Sequence, residues 1–325
     1  MSPRARVLAI VAVAAVLAVA GTVSVTWLQT RGETTVARGA VATPRPGIPP
    51  VTFDFGVRDD AEARALLRAE QLLDAKRPNR RAALAIFDRY RSVEAQVGAA
   101  FARWPAGGLD AVKRIVAAHP ASATAQLHLG WALLWSGRTA DAARQFRRVD
   151  GEFPDTPEAV TAENLLYSKM APNLPVIVLG LPLPRARTAA DQLALLERTA
   201  ADGGADAKLR YGFALWQLRR RVSAERQFAA AAALAPRDPL ARTLAAVGRF
   251  TKRRPVDAFA ELGPLTASFP RSAAVQFHLG VLLLWTGDVP KGKRHLRSAV
   301  QYEPASPWAK GARELLSALP GNGTK

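Results

Sequence analysis

Four histidines and no cysteine limit the chemistry this chain can perform. A histidine can ligate a metal, act as a general base, or form a hydrogen bond that titrates near neutrality. His128 and His278 sit in almost identical stretches, "QLHLGWALLWSG" from residue 126 and "QFHLGVLLLWTG" from residue 276, a separation of 276 − 126 = 150. Metal binding would call for a second ligand one helical turn away or a His-Glu-x-x-His run, and neither surrounds them. They read instead as packed or hydrogen-bonded residues of a repeat. His119 precedes a proline at a helix end, and His295 lies among Lys291, Lys293, Arg294 and Arg297, with no catalytic spacing around either. Without cysteine there is no disulfide, no thiolate metal site, no cysteine nucleophile and no lipid-modified cysteine. No Gly-x-Ser-x-Gly elbow, phosphate loop or dinucleotide fingerprint occurs, and "GDVPKGK" from Gly287 lacks the required spacing. The expectation is a protein that is not an enzyme and has no metal or cofactor.

The twin stretches belong to a longer pattern. Pro154 follows Gly130 by 24 residues, Pro304 follows Gly280 by 24, and Pro236 follows Gly212 by 24. Prolines recur at 154 − 120 = 34, 270 − 236 = 34 and 304 − 270 = 34. A period of 34 accommodates two helices of about a dozen residues with tight turns. Within residues 123–156, Gly130 and Ala142 suit places where two helix backbones approach, Phe146 fills the groove between them, Gly137 ends the first helix and Pro154 stops the second. Residues 205–238 repeat this with Gly212, Ala224, Phe228 and Pro236.

These residues resemble the tetratricopeptide repeat family. The likeness rests on Leu129-Gly130, Leu133, Ala142, Phe146 and Pro154; on Gly212, Leu215, Ala224, Phe228, Ala231 and Pro236; and on Leu279-Gly280, Leu283, Ala299 and Pro304. Departures occur: Ala246 stands for the glycine in residues 239–272, and the last unit has Gly292 for the alanine and Leu296 for the phenylalanine. The resemblance covers roughly residues 60–318 and implies an all-α array of helical hairpins, an α-solenoid in two blocks. It also implies a concave groove lined by the first helix of each pair. The groove positions fall on Leu127, Trp131, Trp135, Leu209, Phe213, Trp216, Phe277, Val281 and Trp285. This stripe is apolar where carboxylate-clamp arrays carry Lys, Arg and Asn, so an extended apolar segment or an amphipathic helix fits it better than a charged peptide terminus. Burial of the stripe under neighbouring helices, or under residues 174–184, is the competing reading.

A chain of several distinct parts must position this stripe. Residues 1–6 form a basic head. Residues 7–28 are an apolar run without charge, which as a helix from Val7 to Trp27 would extend about 31 Å and match a hydrocarbon core. An uncleaved anchor and a signal peptide cut after Ala18-Val19-Ala20 both fit; the anchor reading places a single-pass protein with its bulk outside the cytoplasm, and cleavage would make it secreted. Residues 29–57 read as a proline-rich linker, 58–170 as the first block, 171–186 as an apolar proline-rich connector, 187–320 as the second block with a closing helix, and 321–325 as a tail. The connector interrupts the register, since 150 = 4 × 34 + 14. Its prolines forbid a regular helix, and its apolar run requires cover. It lies either along neighbouring helices or in a groove as an internal ligand.

Lys and Arg total 45 against 27 Asp and Glu, a net charge of +18. Such a field favours anionic partners, and two readings stand beside each other: a solvated basic surface, or attraction to anionic lipid or envelope polymer. Nucleic acid is not expected, because no reading helix or aromatic-basic platform is present. The sequence points to a membrane-anchored scaffold or assembly factor that binds a protein or peptide client through the groove, with the basic-surface module as the alternative.

Overall fold

A computed structural model of the chain describes residues 45–319, and among these it shows fifteen α-helices and no strand. The candidate anchor at 7–28 lies outside the described residues; within them, no helix is long and apolar enough to cross a membrane. Among the described residues the helices form two compact units, one of 45–166 and one of 167–319.

The N-terminal unit holds α1 (Ala61–Asp74), α2 (Arg80–Phe87), α3 (Val93–Ala102), α4 (Gly108–Ala118), α5 (Ala123–Trp135), α6 (Thr139–Glu152) and α7 (Pro157–Leu166). The C-terminal unit holds α8 (Ala189–Asp202), α9 (Ala205–Gln217), α10 (Arg221–Leu234), α11 (Pro239–Gly248), α12 (Val256–Ser268), α13 (Ala273–Trp285), α14 (Val289–Tyr302) and α15 (Pro307–Ala318). Many helix starts are written in the sequence: Asp60, Asn79, Ser92, Ser122, Ser272 and Ser306 each accept a hydrogen bond from a first-turn amide, satisfying a donor that the helix itself leaves open. Within each unit, helices adjacent in sequence pack as antiparallel hairpins, α5 on α6, α9 on α10 and α13 on α14.

The repeat marks act as their spacing requires. A Cβ built at Gly130 would overlap the Phe146 ring, and at Gly212 it would meet the Phe228 ring at 2.7 Å. In the last pair the volumes are exchanged: Gly292 lets its carbonyl approach Gly280, and Leu296 and Leu284 take the space of the missing phenylalanine. Gly130→Ala is therefore expected to cost about 1–3 kcal/mol by overpacking, although alanine is the better helix former. Gly151→Ala, at an exposed helical site with open space around it, is expected to gain about 0.5–1 kcal/mol. Urea midpoints of the two variants, at unchanged slope, check both signs.

Candidate functional site

Each unit closes its hairpins on an extended segment, and the two segments are related in sequence. "RPGIPPVTF" from Arg45 and "APNLPVIVL" from Ala171 align at 171 − 45 = 126, with prolines in register at 46 and 172 and at 49 and 175. Between those prolines, Gly47 and Asn173 both turn left-handed, at φ 83° and 63°. Asparagine is one of the few residues with a Cβ that adopts this conformation readily. The prolines keep the remainder of each segment extended.

In the C-terminal unit the segment from Ala171 to Pro184, strap two, runs against α9, α13 and α15. Its backbone bonds to the groove along its length. Ala171 N–H donates to the Trp285 carbonyl at 3.1 Å. The indole N–H of Trp285 donates to the Asn173 carbonyl at 3.3 Å, that of Trp216 to Pro175 at 2.9 Å, and that of Trp308 to Val178 at 2.8 Å. Val178 N–H donates to His278 Nε2 at 3.3 Å. Farther on, Arg210 and Gln192 donate to the carbonyls of Pro182 and Pro184. Side chains alternate as in a strand: Pro175, Ile177 and Leu179 are buried, with Val176 and Val178 less so. Gly180, at φ 70°, lets the strap pass under the Trp308 ring.

The N-terminal unit repeats the plan with strap one, Arg45 to Phe55. Arg45 N–H donates to the Trp135 carbonyl at 2.9 Å, and its guanidinium stands over the Trp135 ring at 5.4 Å. Thr52 N–H donates to His128 Nε2 at 3.2 Å, and Phe53 N–H to Glu70 at 3.4 Å. The Phe53 ring lies 5.5 Å from His128 and 6.3 Å from Phe87, edge on to the latter. Ile48, Val51, Phe53 and Phe55 join the apolar core. The described part of the proline-rich stretch at 29–57 is thus extended, as its prolines require, and packed into the fold.

The two histidines play one role. Nε2 accepts from a strap amide, so Nδ1 carries the proton and donates to the carbonyl four residues back, Thr124 or Ala274, at 2.7 Å in both cases. Burial without a counter-charge pushes each imidazole down to about 4, despite the hydrogen bond to the carbonyl. Both are therefore neutral at physiological pH. Glu70 is pushed up to about 7, first by burial and then by Asp74 and Asp54, while the Phe53 amide pulls the other way.

Of the residues placed on the groove by their spacing, Trp216 and Trp285 hold strap two directly. Phe277 packs edge on against His278 with ring centroids 5.0 Å apart. Leu127, Leu209 and Val281 are buried at 1% exposure or less, and Phe213 is also buried. Trp131 and Trp135 stay partly accessible and contact each other at 5.6 Å in a T-shaped pair. Spacing did not single out Trp308, Arg210 or Gln192. No group of three or more metal-ligating side chains occurs among the described residues. Elsewhere on the N-terminal unit, an open cleft of about 760 Å³ is lined by Tyr90, Arg91, Gln96, Arg103 and Arg114, with Arg103 paired to Asp88.

Hairpins paired at a 34-residue period, with a glycine against a large side chain in each of these pairs, define a tetratricopeptide-like helical array. No protein-family model matches the chain, and neither does any curated sequence. Among solved structures the chain is similar to yeast Tom70, at 13% identity and TM-score 0.35, over 84% of this chain and 53% of that one. It is also similar to a tetratricopeptide repeat protein from Parabacteroides merdae, at 12% identity and TM-score 0.33, over 80% and 99% of the two chains. A third likeness is to the Cut9–Hcn1 hetero-tetramer of the APC/C, at 16% identity and TM-score 0.26, over 79% and 55%. The chain spans about half the length of the Tom70 chain it matches.

Proposed function

We propose that this chain is a protein-interaction scaffold, not an enzyme. In this reading residues 7–28 hold it at a membrane with its bulk outside the cytoplasm, and a client's extended apolar segment lies along the strapped face of the N-terminal unit. One observation supports the reading: both units already grip an extended segment through its backbone, using side chains of the groove. Recognition through main-chain groups with apolar pockets between them is how extended peptides are read in general.

A photo-crosslinking residue at Trp131, and separately at Phe213, tests it in the native membrane with mass-spectrometric readout. The residue at Phe213 is expected to capture strap two. The one at Trp131 is expected to capture a second protein; capture of strap one alone would reject the scaffold reading for this face.

The arginine-lined cleft supports a second reading, contact with an anionic headgroup or polymer. Salt separates the two. Capture lost by moderate salt but kept in Trp131→Ala follows from charge, whereas capture that survives salt and is lost in Trp131→Ala follows from the groove.

A further inference from the structure

The two grooves are alike in plan but unequal in how well their polar groups are satisfied. In the C-terminal unit, three indole donors meet three strap carbonyls, from Trp285, Trp216 and Trp308 to Asn173, Pro175 and Val178. Trp135 stands where Trp285 does, at 285 − 150 = 135 in the twin stretches. Its indole N–H, and that of the adjoining Trp131, are closed off from solvent and find no acceptor among the described residues. An N–H in that position has given up water without gaining a partner. The bonds that fix strap one run the other way, from its own Arg45, Thr52 and Phe53 amides to the groove, and the last of these is long at 3.4 Å.

We infer that the Trp131–Trp135 end of the N-terminal groove accepts, in exchange for strap one, an extended uncharged segment of another protein with the pattern of strap two. This rests on the scaffold reading and specifies its ligand. Strap two displays the required chemistry: from Ala171 to Pro184 it has no charged residue, its prolines keep it extended before it binds, and its carbonyls face indole donors. Strap one carries Arg45 and Asp54, and the Trp135 indole against which it begins, with that of the adjoining Trp131, finds no acceptor among the described residues. The incoming ligand supplies the missing acceptors, and its prolines reduce the ordering it loses on binding. The N-terminal strap is the exchangeable one, because strap two is held through its carbonyls as well as its amides, by Trp285, Trp216, Trp308, Arg210 and Gln192.

The probe is a synthetic peptide of residues 171–184 with a lysine tail and a fluorophore, titrated into the full chain by anisotropy. Saturable binding of one peptide per chain is expected. It should tighten at least tenfold in Val51→Ser and, separately, in Ile48→Ser, both of which loosen strap one, and weaken at least fivefold in Trp135→Phe, which keeps an aromatic ring, smaller than indole, and removes the donor. Circular dichroism confirms that each variant is folded. Absence of binding in both loosened variants overturns the inference. So does binding that responds to Trp285→Phe instead of Trp135→Phe, which places the peptide in the other groove. Binding that appears only when residues 1–44 are deleted also overturns it, because the chain's own preceding segment is then the occupant. Protein cross-links at Trp131 without peptide binding would reject this ligand while leaving the scaffold reading in place.

Discussion

Trp216→Ala is expected to destabilise the C-terminal unit by about 3–5 kcal/mol, the range for truncating a large buried aromatic side chain. Trp216 is 3% exposed, its ring packs at 6.3 Å from Phe228, and its indole N–H bonds to the Pro175 carbonyl at the middle of strap two. The substitution opens a cavity and also leaves a buried strap carbonyl short of its donor. Trp216→Phe separates the two effects: most of the ring remains, and the loss should fall to about 1–3 kcal/mol. Hydrogen exchange resolved to peptides reads the result. The Val178 amide, protected by His278 in the native fold, should exchange faster in both variants, and far faster in the alanine variant. Protection of the N-terminal unit should not change, since the partners of Trp216 lie in its own unit and distant sites act independently. Unchanged exchange at Val178 would mean that the groove does not hold the strap.

The hairpins were legible because their sequence marks are local and steric. Glycine at one position and phenylalanine sixteen residues later, as at Gly130 and Phe146 or Gly212 and Phe228, can face each other only if two helices turn back on one another. Helix starts at Ser122 and Ser272 were legible for a similar reason. Strap one was not. An extended stretch carries a period of two at most, and prolines state what it avoids without stating what it touches. Ile48 and Val51 look alike as linker residues and as core residues until they are set beside Leu174 and Ile177. The groove positions come from family spacing, which describes an open concave face. Leu209 and Val281 lie on that face in sequence but sink into the core once the hairpins close, while Trp216 and Trp285 are long enough to reach the strap. Trp308 escaped because it lies on the closing helix, outside the repeated pair. Most of the interruption at 171–186 is strap two, extended and bonded to Trp216, Trp285 and Trp308 on three helices.

The strap histidines and their acidic neighbours make the two units respond unequally to acid. His128 and His278 titrate at about 4 when folded and near 6.5 when unfolded, so between those values the unfolded chain binds a proton that the folded chain refuses. Stability is then full above pH ~6.5 and falls as pH drops toward 4, by about 3 kcal/mol per histidine. Glu70 has the reverse sign. Its folded value near 7 lies above the unfolded 4.5, so the folded chain keeps a proton that the unfolded chain releases, and acidification through that window stabilises. Glu158, raised by burial, adds to Glu70 in the same unit, whereas His295, lowered by burial and by Arg294, adds to His278 in the other. Asp60 and Asp288, held low chiefly by hydrogen bonds from the Ala63 amide and the Lys291 side chain, titrate below this range. Lowering the pH from 7 to 4.5 should therefore leave the N-terminal unit nearly unchanged and weaken the C-terminal unit by about 3 kcal/mol. Exchange protection of α13 and strap two, followed against α5 and strap one, measures the difference directly. In His278→Gln the amide oxygen can accept from Val178 without titrating, so the C-terminal unit should lose most of its acid sensitivity while keeping its strap. Glu70→Gln should do the reverse for the N-terminal unit, exposing the acid sensitivity of His128 that Glu70 otherwise cancels. If both units weaken together in the native chain, Glu70 does not offset His128.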